Sequence, residues 1–366
     1  MFSAPLTTKI KALYARVSRG RAFGSPALPK DAVIAVTYLC NSRCTMCDFW
    51  KETRQPTVTL ADYAKLPSSL RDINISGGEP TLHPQLVEIV RTLRTACPKA
   101  QMTISTNGFM TKHIVKRVSE IMAFYPAIAV RISIDGVGDM HEEIRRIPQG
   151  YDKCIATLRA LKEIGVMNLG IAYTMTNENV DHLHRLYDVA RAEGVQFTCA
   201  LMHSSEFYFG GKANVRERSR VDAIARAFTT LADRELATWS PKRWARAYFA
   251  HGLAVLAAEG RQLLPTRAGE DFFFLDPWGT VVPSVMHPNV LGTIGAHATF
   301  ASLWKSEQAQ RARDTVRKHP QPSWLICTAR TAIKRHPVRL IAWVLRRKFA
   351  ILTPGFLKAS HGTAHT

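Results

Sequence analysis

Three of the seven cysteines lie close together, directly after an apolar, β-branched run of the sequence. Cys40, Cys44 and Cys47 have the spacing Cys-x3-Cys-x2-Cys. Three thiolates on one short loop can bind three irons of a [4Fe-4S] cluster, whereas a structural zinc site needs four ligands and usually two separated Cys-x2-Cys pairs. The other cysteines are scattered and offer no convincing fourth ligand. The spacing therefore favours an iron–sulfur cluster with one open iron, with zinc or purely structural thiols as the alternatives.

Length, cysteine content and hydropathy limit the classes of protein to which this chain can belong. A chain of 366 residues that is 46% hydrophobic suits one domain of about 250 residues with a smaller appendage. An odd, clustered set of cysteines disfavours a secreted disulfide framework and indicates the cytoplasm. The N-terminus lacks the continuous apolar stretch of a signal peptide, and no run approaches the roughly 18 apolar residues of a membrane span. We expect a cytoplasmic protein.

A repeated pattern of strand, loop and helix must position the cysteine loop. Six apolar and β-branched runs predict strands, at residues 32–38, 72–76, 101–106, 129–134, 168–175 and 195–201. Amphipathic helical periods lie between the later runs, at residues 85–97, 112–124, 152–165 and 180–194. Such β-α repeats predict an α/β fold with a parallel sheet, either open or a partial barrel. In both architectures the chemistry gathers at the carboxyl ends of the strands.

The pattern of β-α repeats ends near residue 205. Residues 215–260 have helical periods, residues 272–284 read as a β-hairpin that turns at Pro277 to Gly279, and helices are predicted at 299–318 and 323–350. The chain is accordingly divided into four parts, at residues 1–30, 31–210, 211–335 and 336–366. They are a basic N-terminal segment, a core that is either an open α/β sheet or a partial (β/α)6 barrel, a smaller α+β C-terminal extension and a basic amphipathic tail.

The cysteine loop resembles a known family signature. "CNSRCTMC" is similar to the cluster motif of the radical S-adenosylmethionine (radical SAM) superfamily. The resemblance implies one [4Fe-4S] cluster held by Cys40, Cys44 and Cys47, with SAM bound at the open iron. It also implies that Met46 and Phe49 form a wall near the adenine.

The ends of the later strands carry further motifs in the order that the family has them. Each could also be an ordinary polar turn. The resemblance implies that Glu79, in the Gly-Gly-Glu-Pro turn, accepts from the SAM ammonium and that Ser133 and Asp135 bond the ribose or methionine end. It also implies that Arg145 pairs with the SAM carboxylate, with a surface ion pair as the alternative. The predicted SAM-binding residues are Met46, Phe49, Gly77, Gly78, Glu79, Pro80, Ser105, Asn107, Ser133, Asp135 and Arg145.

The C-terminal extension resembles the SPASM or twitch branch of the family. "FLDPWGTVVPS" and the later "LWKS" follow that layout of hairpin and helix. Thr266 and Ser284 stand where the branch normally has cysteines for auxiliary clusters, and only Cys327 remains. A second cluster would need several thiolates. We therefore expect one cluster, with the extension serving as a lid or substrate platform.

The resemblance implies reductive cleavage of SAM to a 5′-deoxyadenosyl radical, which abstracts hydrogen from a small-molecule, carbohydrate or peptide substrate. It also implies a one-electron donor such as flavodoxin or ferredoxin. Weak candidates for substrate contacts follow the fifth and sixth strands, namely Tyr173, Thr174, His203, Glu206 and Tyr208. The alternatives are a radical SAM methyl or methylthio transferase acting on RNA or lipid, and a non-catalytic SAM-binding partner protein.

The net charge of +20 is concentrated at the two ends of the chain. In the tail, Leu340, Ile341, Val344, Leu345 and Phe349 can share a helical face, opposite Arg339, Arg346, Arg347 and Lys348. This pattern predicts a peripheral contact with an anionic membrane at the inner membrane face, a clamp on an anionic substrate, or a solvated basic face over a packed terminal helix. Nucleic-acid binding is disfavoured, because basic and aromatic residues are not interleaved.

Overall fold

A nine-stranded sheet organises the computed structural model, which describes residues 27–352. The strand order is β6-β5-β4-β3-β2-β1-β7-β8-β9; β1 to β6 and the β1–β7 pair are parallel, and β7, β8 and β9 pair antiparallel. The six strands predicted for the core are all present, and so is the hairpin. The strands are β1 Asp31–Thr37, β2 Asp72–Gly77, β3 Gln101–Thr106, β4 Ala129–Ser133, β5 Asn168–Met175, β6 Gln196–Leu201, β7 Phe272–Leu275, β8 Thr280–Val282 and β9 Gly292–Thr293.

Helices follow most of the parallel strands, as the sequence pattern predicts. The predicted segment 1–30 lies largely outside the described residues, because the description begins at residue 27. The helices are α1 Leu60–Ala64, α2 Leu86–Ala96, α3 Thr111–Met122, α4 Asp139–Arg145, α5 Gly150–Glu163, α6 His182–Ala192, α7 Glu206–Phe209, α8 Val221–Leu236, α9 Pro241–Glu259, α10 Phe300–Trp304, α11 Glu307–Lys318, α12 Ile326–Arg335 and α13 Pro337–Leu352.

Two predicted long helices are each divided in two. The helix predicted at 299–318 ends at Trp304 and begins again at Glu307, because the Ser306 side chain caps the new helix by accepting from the Ala309 amide. The helix predicted at 323–350 breaks at His336, since Pro337 lacks the amide hydrogen that a continuous helix needs. The sequence prediction of uninterrupted helices was wrong at both places.

The two faces of the parallel sheet differ in composition. Side chains alternate along each strand, so every second residue lies on the same face. The outer face is apolar and buried under the helices, with residues such as Ile73, Ile104, Ile132, Ile171 and Phe197 in one continuous core. The opposite face, called the inner face here, is partly accessible along β2 to β6 and carries Asn74, Thr103, Ser105, Arg131, Ser133, Ala172, Thr174, Gln196, Thr198 and Ala200.

The C-terminal extension continues the sheet rather than forming a separate layer. β7 adds beside β1, with Val33 paired to Phe274, so one hydrogen-bonded sheet includes the core strands and the extension. On the inner face of these two strands, Phe272 and Phe274 pack with Val33 and Val282 in a second, smaller apolar cluster. The division of the chain near residue 210 therefore does not divide the sheet.

Candidate functional site

The cysteine loop follows β1 and is tied to the end of α4. The Thr45 amide donates to the Ile144 carbonyl (2.8 Å), and the Ser42 hydroxyl donates to the Arg145 carbonyl (3.0 Å). The same hydroxyl lies 3.0 Å from the Cys44 sulfur. Cys44 is thus held between its own loop and α4. This role of Ser42 could not be predicted from the sequence, because its partner Arg145 lies about a hundred residues away.

The three loop thiols form a suitable donor set for a cationic group. Burial, together with the neighbouring Cys44, raises the pKa of Cys40 to about 12, and burial likewise raises that of Cys47 to about 12. Without a cation Cys40 and Cys47 stay protonated, whereas iron ligation requires thiolates. Within residues 27–352, no three His, Cys, Asp or Glu side chains converge on a point as ligands of a single ion do. Cysteines that bind separate irons of one cluster need not converge, so this loop fits a [4Fe-4S] cluster better than zinc.

The two glycines of the Gly-Gly-Glu-Pro turn allow the end of β2 to lie against the end of β1. A Cβ atom on Gly77, whose φ is +132°, would lie 2.0 Å from the Thr37 carbonyl oxygen. A Cβ on Gly78 would lie 2.3 Å from the Leu39 oxygen. The amides of Gly78 and Glu79 donate to these same carbonyls, each at 2.8 Å. The turn therefore fixes the backbone directly before Cys40, a role that sequence reasoning had not assigned to it.

Glu79 is fully buried and its carboxylate has four protein donors. One oxygen accepts from the Thr81 amide (3.1 Å), the Thr81 hydroxyl (2.6 Å) and the Thr106 hydroxyl (2.9 Å), and the other accepts from the Asn107 amide (2.6 Å). Burial raises the pKa of Glu79 despite these bonds. The carboxylate links the ends of β2 and β3, while Pro80 begins a short 3-10 turn after it. Its predicted contact with the SAM ammonium stays a prediction.

Arg145 and Asp135 meet beside the cysteine loop, while their predicted contacts with SAM stay predictions. The Arg145 Nε donates to Asp135 Oδ2 (2.6 Å), and its Nη1 lies 3.6 Å from the Cys44 sulfur. Asp135 Oδ1 accepts from the Thr174 amide (2.7 Å). Burial opposes the Arg145 charge, but Asp135 outweighs it and raises the Arg145 pKa. A buried guanidinium therefore remains positive next to a thiol, where it can pair with an anionic ligand.

The remaining polar residues of the predicted SAM site lie at the ends of β3 and β4. The Ser105 hydroxyl donates to Asn74 Oδ1 (2.9 Å), and Asn107 Nδ2 donates to Asn41 Oδ1 (2.7 Å). Ser133 lies on the partly accessible inner face. Sequence reasoning missed Asn41 and Asn74. The second could have been found from its alternation with buried Ile73 and Ile75 along β2.

Met46 and Phe49 lie in different apolar clusters, both of which border Cys47. Met46 is buried with Cys44, Ile144 and Phe209. Phe49 belongs to the other inner cluster, where its ring stacks on Tyr38 at a centroid distance of 3.8 Å. The adenine wall predicted for the two side chains stays a prediction.

Tyr173 lies on the outer face of β5, within the helix-covered core. Its hydroxyl donates to the Asn179 carbonyl (2.5 Å). The alternation of the strand places its neighbour Thr174 on the inner face instead. The expectation that Tyr173 points into the cavity is therefore wrong, and Thr174 is the better placed of the two.

The other three candidates lie around α7. His203 Nδ1 is buried without a hydrogen-bond partner, and burial lowers the pKa of its imidazole to about 4. Its ring lies 5.8 Å from that of Tyr208. Glu206 lines a cavity of about 470 Å³ beside the cysteine loop, with Tyr38 and Trp278 among the other lining residues. The structure brings these residues near the loop without showing what they bind.

The sequence relatives are radical SAM enzymes. Residues 34–190 match the model of the radical SAM superfamily. Pre-heme d1 synthase of Dinoroseobacter shibae is 27% identical over 348 residues, which covers 84% of this chain and 79% of that protein. A probable GTP 3′,8-cyclase of Metallosphaera sedula is 24% identical over 182 residues, 47% of this chain and 55% of that protein. The chain thus spans about half the length of the latter relative.

Solved structures show the same fold. Streptococcus suis SuiB bound to S-adenosylmethionine superposes with a TM-score of 0.61 at 15% identity, covering 84% of this chain and 72% of that one. The AdoMet-bound protein anSMEcpe gives a TM-score of 0.57 at 17% identity, covering 87% of this chain and 99% of that one. Both likenesses show the α/β fold with a partial barrel that the sequence predicted. Residues 34–190, which carry the cysteine loop and the strand-end turns, match the radical SAM superfamily, whose enzymes use a [4Fe-4S] cluster and SAM.

Proposed function

We propose that this enzyme abstracts hydrogen from a substrate that lies against the inner face of β2 to β6. The observation that supports it is the contact between Arg145, Asp135 and Cys44, which places a buried cation between a strand end and the cluster loop. When bound, the cluster and SAM supply a 5′-deoxyadenosyl radical. Cys40, Cys44 and Cys47 would hold the cluster, and the inner-face side chains would orient the substrate.

Two arginines at the inner face favour a polar substrate that carries an anionic group. Deeper along this face, Arg131 donates to the Asn168 carbonyl (2.8 Å), to Asn168 Oδ1 (2.9 Å) and to Gln196 Oε1 (3.1 Å). Arg246 of α9 donates to the same Gln196 oxygen (2.5 Å). Burial first, and then the nearby Arg246, lowers the pKa of Arg131 to about 10. Two neighbouring guanidiniums that share an amide oxygen favour a carboxylate or phosphate nearby.

The similarity to pre-heme d1 synthase over most of the chain favours a small organic molecule over a peptide. SuiB, whose likeness shows the fold alone, has also been solved with its precursor peptide, so a peptide substrate is the second candidate and a carbohydrate the third. We also propose a one-electron donor of the flavodoxin or ferredoxin type. Its identity does not affect the test below, because dithionite can replace it.

Anaerobic reconstitution followed by reduction with dithionite in the presence of SAM tests this function. The wild-type protein should hold about four irons per chain and release 5′-deoxyadenosine. Cys44→Ala should lose both properties. Cys97→Ala is a matched control, because Cys97 is a buried thiol on the outer face, bonded only to the Pro67 carbonyl. Iron loss in both variants, or cleavage retained in Cys44→Ala, would contradict the proposal.

The methyl or methylthio transferase alternative predicts a different product. Reduced protein that forms S-adenosylhomocysteine and no 5′-deoxyadenosine would favour methyl transfer. A content of seven or eight irons would instead show an auxiliary cluster and contradict the expectation of one cluster.

A further inference from the structure

The C-terminal helix α13 carries an exposed apolar stripe. Val338, Ile341, Leu345 and Phe349 are 70%, 57%, 64% and 57% exposed, and their spacing of three and four residues places them on one side of the helix. Trp239, which is 80% exposed, lies beside α13, because its ring is 4.1 Å from the Lys348 ammonium. Five of the nine large exposed hydrophobic residues in the described part of the chain thus form one patch. Such clustering marks an interaction surface rather than scattered surface residues.

The opposite side of α13 is fixed to the protein. Val344 is buried in the core, and the Trp343 ring stacks on His251 of α9 at a centroid distance of 5.0 Å. Arg347 bonds both carboxylate oxygens of Asp233 at 2.8 Å. The face predicted from sequence is therefore wrong in part, because Val344 packs inward while Ile341 and Leu345 point outward. A helix held in this way presents its stripe without having to unfold.

Basic residues flank the stripe along the helix. Arg339 and Arg346 are exposed and lie next to it on the helix. Residues 315–366 contain no Asp or Glu, and they include ten Lys and Arg residues. No helix among residues 27–352 has the length and apolar character needed to cross a membrane. A helix with an apolar stripe, basic flanks and a neighbouring tryptophan has the features of one that lies in the plane of a lipid surface.

We propose that α13 docks this enzyme on an anionic lipid bilayer, with the stripe in the interface and Arg339 and Arg346 at the headgroups. Charge argues against the other occupants. A second copy docked through the same stripe would bring a second basic rim, with no acidic residue from positions 315–366 to pair with it. Residues 1–26 and 353–366 also contain no acidic residue, so neither segment complements the basic rim. An anionic bilayer satisfies both the stripe and the rim.

Vesicle flotation with the full-length protein tests the docking. The protein should float with vesicles of equal phosphatidylglycerol and phosphatidylcholine, less at high salt, and poorly with phosphatidylcholine alone. The double substitution Ile341→Ser and Leu345→Ser should weaken binding at least tenfold, since two apolar side chains no longer enter the interface. Replacing Arg339 or Arg346 with Gln should weaken binding roughly fivefold each, and only on the anionic vesicles.

Met167→Ser is the matched control, because Met167 is 87% exposed, lies directly before β5 and is not part of the stripe. It should bind as the wild type does. Circular dichroism and 5′-deoxyadenosine release should show that the stripe variant remains folded and active. Wild-type protein that does not bind anionic vesicles would overturn the proposal, as would binding that the stripe substitutions leave unchanged. A wild-type dimer that the stripe variant converts to a monomer, without vesicle binding, would assign the stripe to a second copy instead.

Discussion

The inner face of the sheet has two halves that differ in what covers them. Along β1 and β7, Val33, Ala35, Phe272 and Phe274 are at most 4% exposed, because residues of the hairpin and of α12 pack over them. Along β2 to β6 the inner residues are partly accessible, and several are polar or charged. One half is therefore a packed core and the other is a surface that a ligand can reach.

This difference indicates what the extension does. By adding β7 beside β1, the extension fills the part of the inner face directly below the cysteine loop. It leaves the inner face of β2 to β6 open. Substitutions in the filled half should act mainly on stability. Substitutions in the open half should act mainly on SAM or substrate binding.

The largest effect is expected for Phe274→Ala in the filled half. Its buried ring packs with Val33 and Val282, so truncation should lower the free energy of unfolding by about 3–5 kcal/mol. Thr198→Ala in the open half is the matched control and should change it by less than about 0.5 kcal/mol. Anaerobic urea unfolding of both variants measures the difference. Equal losses would show that the two halves are packed alike.

Glu79→Gln should have the next largest effect, because it acts at the boundary of the two halves. A neutral amide cannot accept from all four present donors, so the free energy of unfolding should fall by about 1–3 kcal/mol. The exposed Glu163→Gln should leave it unchanged. Unfolding midpoints in urea test this. An unchanged midpoint in Glu79→Gln would mean that the carboxylate does not hold the strand ends together.

Arg145→Lys should slow 5′-deoxyadenosine release roughly tenfold, because a lysine keeps the charge but cannot contact both Asp135 and Cys44 as the guanidinium does. The apparent SAM affinity should fall with it, while iron content should remain about four. Arg159→Lys, in an exposed pair with Glu193, should behave as wild type. An unaltered rate in Arg145→Lys would remove Arg145 from the SAM site.

The smallest effect is expected for Ser133→Ala in the open half. The hydroxyl has no role in core packing, so the free energy of unfolding should change by less than about 0.5 kcal/mol. If Ser133 bonds SAM, the KM for SAM should still rise roughly fivefold, because one hydrogen bond to SAM is lost. Ser119→Ala, on the exposed side of α3, should leave that KM unchanged. An unchanged KM in Ser133→Ala would place SAM elsewhere on the inner face.

The sequence by itself determined the fold of the core and predicted a cluster-binding role for the cysteine loop. Apolar alternation and short-range periodicity identify strands and helices locally, and the cysteine spacing lies within eight residues, so neither depends on distant contacts. The sequence also predicted that the strand-end motifs lie at one edge of the sheet, because parallel strands bring their carboxyl ends together.

Only the tertiary structure decided how the side chains of the site are used. Glu79 bonds residues of the next strand end, Ser42 bonds the end of α4, and Met46 and Phe49 turn into different clusters. These partners lie tens of residues or more apart, or depend on the direction of a short turn. Likewise, only the contacts of α13 with α8 and α9 showed which side of that helix is exposed, because a helical pattern with two apolar sides fits either orientation.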